Sequence, residues 1–137
     1  MGLEECAAIA AEIAIERGPR DAVLRAHGLD DVGWLRAAKR HDDDMARDID
    51  AGERSPKNVY DAAFVDAVEG ARGPLTGEEH ARLLHAIERG QLAQTLTALR
   101  LTRPTWLRIQ RVLKRRVVHD PAYRAATDAA LAKLRQG

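Results

Sequence analysis

The sequence predicts an all-α fold, a helical bundle of eight helices built from two tandem four-helix repeats. Three observations carry this. No segment alternates with β-branched residues, whereas apolar residues recur at helical spacing along most of the chain. Helix start and stop signals punctuate those stripes. Residues in the first half also recur in the second at a constant offset of 72.

The elements follow in order. Leu3 to Arg17 is amphipathic, with Leu3, Cys6, Ala10 and Ile13 on one face and Gly18 as its stop. A short helix starts at Pro19, a favoured first-turn residue, and ends at Gly28. Asp30 caps a third helix, which presents Trp34, Ala37, His41 and Met45 before Gly52. Ser55-Pro56 opens a fourth, whose Tyr60, Ala63, Phe64, Ala67 and Val68 form a stripe ending at Gly70. The segment "GARGPLTG", Gly70 to Gly77, reads as a hinge between halves. Thr76 with Glu79 is a capping-box pattern that starts the fifth helix, and a sixth runs from Gln91 to Leu99. Thr102 caps the seventh, faced by Trp106, Ile109, Leu113 and Val117. Asp120-Pro121 begins the eighth, striped by Tyr123, Ala126, Ala130, Leu131 and Leu134.

The repeat comprises residues 3–70 and 77–135. "ERG" stands at 16–18 and 88–90, and Trp34-Leu35-Arg36 maps onto Trp106-Leu107-Arg108. After a nine-residue deletion, Tyr60 maps onto Tyr123, so the two tryptophans and the two tyrosines all coincide. These four are the expected core anchors. A single quartet could not bury its stripes alone, and 137 residues suit one domain with one core, 1–137.

Composition narrows the function classes. With 45% hydrophobic and 31% charged residues the chain is globular in character. No apolar run approaches the roughly 18 residues of a membrane span, and the amino-terminal apolar stretch follows Glu4 and Glu5 rather than a basic head. A lone Cys6 forms no internal disulfide. These features point to a cytoplasmic protein, and Ala/Arg-rich usage to a bacterial genome. The net charge of +1 conceals an asymmetry: residues 1–70 hold 9 Lys/Arg against 16 Asp/Glu, and residues 71–137 hold 13 against 5.

"HDDDM", His41 to Met45, is the run that most invites a site. His41, Asp44 and Asp48 share one face, as metal ligands in bundles do. Yet no Glu-x-x-His occurs, and no metal is assigned. The better expectation for His41 is a core-edge histidine paired with a neighbouring carboxylate. At offset 72, Asp42-Asp43-Asp44 align with Lys114-Arg115-Arg116, a three-for-three charge inversion, and His41 aligns with Leu113. The acids therefore read as a surface field. They are expected to meet the bases either within one molecule or in another.

The segment "LRLTRPTWLRIQRVLKRR", residues 99–116, holds Arg103, Arg108, Arg111, Lys114, Arg115 and Arg116 with no acid. Two uses compete for it. One is a protein-interaction face for another protein or a second copy of this chain, in which Asp42, Asp43 and Asp44 also take part. The alternative is a helix-turn-helix-like nucleic-acid reader with Arg103 and Arg108 near the start of its second helix; acids at the matched positions of the first copy would repel phosphate. An enzyme is not expected. Ser55 reads as a cap, and His80, His85 and His119 lack a nucleophile or base pattern. There is no Gly-rich phosphate loop, Cys-x-x-Cys or His-Glu-x-x-His, and no cofactor is implied.

"HGLDDVGW" followed by "LTRPTWLRIQRVLKRRVVHDP" resembles small duplicated all-helical proteins of myxobacterial-type genomes, some encoded near type VI secretion genes. The resemblance spans Ala7 to Leu134 through Gly-Leu-x4-Trp, Trp-Leu-Arg and Asp-Pro. Those relatives carry a second aromatic late in the third and seventh helices, where this chain has Met45 or Asp44 and Val117 or Arg116. The resemblance implies a secretion-associated accessory or adaptor role with no catalytic residues.

Overall fold

The computed structural model describes residues 1–137 and contains eight helices and no strand. The helices are α1 (Leu3–Ile15), α2 (Arg20–Ala26), α3 (Asp31–Asp50), α4 (Ser55–Arg72), α5 (Gly77–Glu88), α6 (Leu92–Ala98), α7 (Arg103–His119) and α8 (Pro121–Gln136). None is long and apolar enough to cross a membrane. The chain divides into two compact units, Met1–Val68 and Glu69–Gly137.

In the first unit α1, α2 and α3 pack on one another. Cys6, Ala7, Ile9 and Ala11 are buried, so α1 presents small residues that allow close approach, and Leu24 is the one buried residue of α2. Glu16 ends α1 at φ 62°, two residues before the glycine expected to stop it. Asp30 caps α3 as its position predicts: the Gly33 N–H donates to Asp30 Oδ1 at 2.7 Å. Of the twenty residues of α3 only Trp34 is buried. Tyr60, Phe64, Val65 and Val68 of α4 are buried, together with Asp61.

The expected hinge takes a different form. Gly70 does not stop α4, which runs on to Arg72. In the second unit the connection to α5 is thus only residues 73–76, and Arg72 fastens it: NH1 donates to the Gly73 and Pro74 carbonyls, both at 3.2 Å. Ser55 is the first residue of α4, and its N–H donates to Glu53 Oε1 at 2.9 Å.

In the second unit α5 packs chiefly against α8 and also against α6, and α7 packs against α8. The approach of α5 to α8 requires Gly77, because a Cβ there would lie 2.9 Å from both Ala126 Cβ and the Thr127 backbone nitrogen. Thr76 and Glu79 form the predicted capping box, with Glu79 N–H to Thr76 Oγ1 and Thr76 N–H to Glu79 Oε1 both at 3.1 Å. Asp120 caps α8 through the Tyr123 N–H at 3.1 Å.

The buried stripe of α7 is rotated from the expected one. It comprises Thr105, Ile109, Val112 and Leu113, whereas Trp106 is only half-buried. Tyr123 is half-buried too, so of the four expected anchors Trp34 and Tyr60 are buried in the first unit, and Trp106 and Tyr123 are half-buried in the second.

Candidate functional site

The inverted charges lie on one helix of each unit, α3 and α7. On α3, Asp42 and Asp43 are exposed and Asp44 is half-buried. They are not an open acidic field. Lys39 Nζ lies 2.8 Å from Asp43 Oδ2, one turn away, and Arg47 bonds Asp44. Arg36, Lys39, Arg40 and Arg47 are exposed on the same helix, so bases intersperse with the acids. His41 departs from the expected carboxylate pairing. Its Nε2 lies 3.1 Å from the Met1 carbonyl oxygen, which also accepts from Arg40 NH2 at 3.1 Å. Nowhere do three His, Cys, Asp or Glu residues gather in a group that could hold a metal ion, although His41, Asp44 and Asp48 do share a half-buried face.

On α7 the predicted cations fall into two sets. Arg103, Lys114 and Arg115 are exposed; Arg108, Arg111 and Arg116 are half-buried. The rotated stripe explains Arg116. It lies three, four and seven residues after Leu113, Val112 and Ile109, hence on the inward face. There its guanidinium grips Glu69 with two parallel bonds, NH1 to Oε2 at 3.0 Å and NH2 to Oε1 at 2.5 Å. The Nε of Arg108 is enclosed.

The solvent face of α7 is different in kind. Leu107 is 58% and Val118 70% exposed. Eleven residues apart, they lie within about 20° of one another around the helix and about 16 Å apart along it. Half-buried Arg111 and exposed Lys114 stand between them on the same stripe, with exposed Arg103 and Arg115 to either side, so the outward face is mixed apolar and basic. No acid occurs in α7. At offset 72 from Leu107, Leu35 on α3 is 57% exposed. A large apolar side chain at the surface was not anticipated at either position; the signal available was that each leucine follows a tryptophan and so faces away from it by about 100°.

A polar cluster inside the second unit was also missed. The side chain of Arg72 is only 6% exposed. Its Nε donates to the Leu99 carbonyl at 3.0 Å, and its terminal nitrogens hold Glu79. Glu69 Oε2 accepts in addition from the Leu75 N–H at 2.7 Å. Burial opposes ionisation of Glu69, but the bonds from Arg116 and Leu75 and the charges of Arg116 and Arg72 overcome it and hold the carboxyl below its ordinary range. Glu79 is also lowered: burial again opposes, and bonds from Arg72 and Thr76 outweigh it. Nearby the rings of His80 and Tyr123 stack at 5.8 Å. His80 Nδ1 and the Tyr123 hydroxyl are enclosed without a hydrogen-bond partner. Burial lowers the His80 pKa and pushes Tyr123 up to about 12.

Surface depressions lie elsewhere on both units. One on the first unit is lined by Asp21, Leu24, Arg25, Leu29, Asp30 and Asp31, and one between α5 and α8 by alanines with Glu78, Arg82 and Lys133 at its edges. No protein-family model, curated protein or solved structure matches the chain.

Proposed function

We propose that this chain is a non-enzymatic interaction module, an adaptor or accessory protein of the bacterial cytoplasm, that engages another protein or another copy of itself through the outward faces of α3 and α7. The observation that carries this reading is the pair of exposed leucines, Leu35 and Leu107, separated by 72 residues and exposed to 57% and 58%. A half-exposed leucine alone is ordinary; two at corresponding places, beside Asp42 and Asp43 in one case and Lys114 and Arg115 in the other, suit contact surfaces. Duplication of a four-helix unit is part of the proposal. It is supported by α2 and α6, each seven residues long and starting 72 apart, and by α3 and α7, whose starts are also 72 apart. The resemblance to accessory proteins near type VI secretion genes suits the same role.

The competing reading is nucleic-acid binding. The short helix α6, the connection 99–102 and the long helix α7 follow one another in the appropriate order, with Arg103 exposed at the start of α7. Against it, Arg116 is held by Glu69, and Leu107 and Val118 stand exposed on the same face as the bases.

The test is affinity capture at low salt with the intact chain and two variants, L35A/D42K/D43K and L107A/K114E/R115E, each checked for unchanged helicity by circular dichroism. Partners captured by the native chain and lost from either variant support the proposal. An identical set of captured proteins for all three, or a salt-dependent duplex-DNA shift as the only activity altered by K114E/R115E, overturns it.

A further inference from the structure

We infer that the packing of α8 against α5 is an acid-sensitive latch, in which protonation of His80 opens the second unit while the first stays closed. The α5–α8 contact is the principal one of that unit, yet of the sixteen residues of α8 only Thr127 is buried. At one end of the contact Arg135 of α8 holds Glu88 of α5 at the surface. At the other end the ring of His80, 7% exposed, stacks on Tyr123. His80 Nδ1 and the Tyr123 hydroxyl have no hydrogen-bond partner while the helices are together, and opening gives both to water. The closed contact is therefore tied by charge at one end and carries two unsatisfied polar groups at the other.

No carboxylate stands ready to receive a charge on His80. Among its neighbours on α5, Glu79 is held by Arg72, and Glu78 and Arg82 are exposed. On α8, Tyr123 is neutral, its pKa pushed up to about 12. Arg124 and Asp128 face each other in solvent, Lys133 is exposed and Arg135 is taken by Glu88. Glu69 and Arg116, whose charges act on Tyr123, hold each other. The other helix on α5, α6, contains no titratable residue. Burial alone lowers the His80 pKa, so a proton added there penalises the closed contact and not the open one. The remaining histidines carry no such penalty. His85 has Glu88 3.7 Å away to take up a charge, His119 is exposed, and in the first unit neither His27 nor His41 is buried. Glu69 and Glu79, held below their ordinary 4.5, stay ionised down to pH 5. Between pH 7 and pH 5 the buried charge thus falls on His80.

The experiment is amide hydrogen exchange of the full chain, read by mass spectrometry as protection factors at pH 7 and pH 5, for the native chain and His80→Leu. An open-state imidazole of ordinary pKa 6.5 limits the gain in opening over that interval to about 25-fold. Within that limit, protection of residues 77–88 and 121–136 should fall by at least about threefold in the native chain. Protection of residues 3–15 and 31–50 should hold. The fall should vanish in His80→Leu, or in His80→Gln, equally unable to charge, where the leucine variant does not fold. The His80 ring resonances of the native chain, followed by NMR, should titrate in step with the loss of protection. Unchanged protection of α5 and α8 at pH 5, an equal fall in α1 and α3, the same fall in the neutral variant, or a His80 titration out of step with the opening would overturn the inference.

Discussion

Arg72→Met puts the internal polar cluster of the second unit to the most demanding test. In the native chain its guanidinium, on a side chain only 6% exposed, serves the Leu99, Gly73 and Pro74 carbonyls and the Glu79 carboxylate. Methionine keeps most of the volume and none of the donors. Glu79, one-fifth exposed, would then be an enclosed carboxylate without its cation. Removing one partner of a buried pair costs about 3–5 kcal/mol; the residual access of water to Glu79 argues for the lower end, about 3 kcal/mol. At roughly 4 °C per kcal/mol for a chain of this size the melting temperature should fall by about 12 °C. Thermal and urea unfolding followed by circular dichroism would measure it. Adding Glu79→Gln should recover part of the loss, because the stranded charge disappears while the amide oxygen can still accept the Thr76 N–H of the capping box. A loss for Arg72→Met below about 1 kcal/mol, the value of an exposed ion pair, would refute the view that the cluster locks the 73–76 connection.

Two further outcomes test the same unit. Gly77→Ala should destabilise by about 1–3 kcal/mol because the added methyl meets the Thr127 backbone, whereas Gly70→Ala, inside α4 with nothing within 4 Å, should stabilise by about 0.5–1 kcal/mol; equal effects in urea titrations would refute the close-approach argument. The pH dependence should be two-sided. His80, Glu69 and Glu79 have folded pKa values below their ordinary 6.5 and 4.5, so the unfolded chain takes up protons first and stability falls as pH drops below 6.5 and again below 4.5. Tyr123 is raised from 10.0 to about 12, so the unfolded chain loses its proton first and stability falls as pH rises through that interval. A urea midpoint unchanged between pH 7 and pH 5, or a fall of the same size in His80→Leu, would contradict the role derived for His80.

Helix existence and most helix starts were legible because their causes are local. Asp30, Thr76 and Asp120 satisfy backbone donors three residues on, a relation contained in a few consecutive residues. The end of α4 was not legible: Gly70 costs a helix little when the following turn is held from outside, and Arg72 is held by the Leu99 carbonyl, 27 residues away. The candidate site was legible in composition and misread in detail. Asp42 to Asp44 and Lys114 to Arg116 stand out by their charge, yet two of the three acids are met by bases of their own helix and one of the three bases is drawn inward by Glu69.

The sequence by itself determined the all-helical class, the order of eight elements and the caps that separate them, since propensity, periodicity and capping act over one or two turns. Only the tertiary structure decided which face of each helix turns inward. For α7 the expected stripe Trp106, Ile109, Leu113 and Val117 and the buried stripe Thr105, Ile109, Val112 and Leu113 share two residues and differ by a rotation of about 60°, and both fit a 3.6-residue period. Contacts with other helices select between them. That choice buries Thr105, brings Arg116 to Glu69 and leaves Leu107, Val118, Lys114 and Arg115 on the outside.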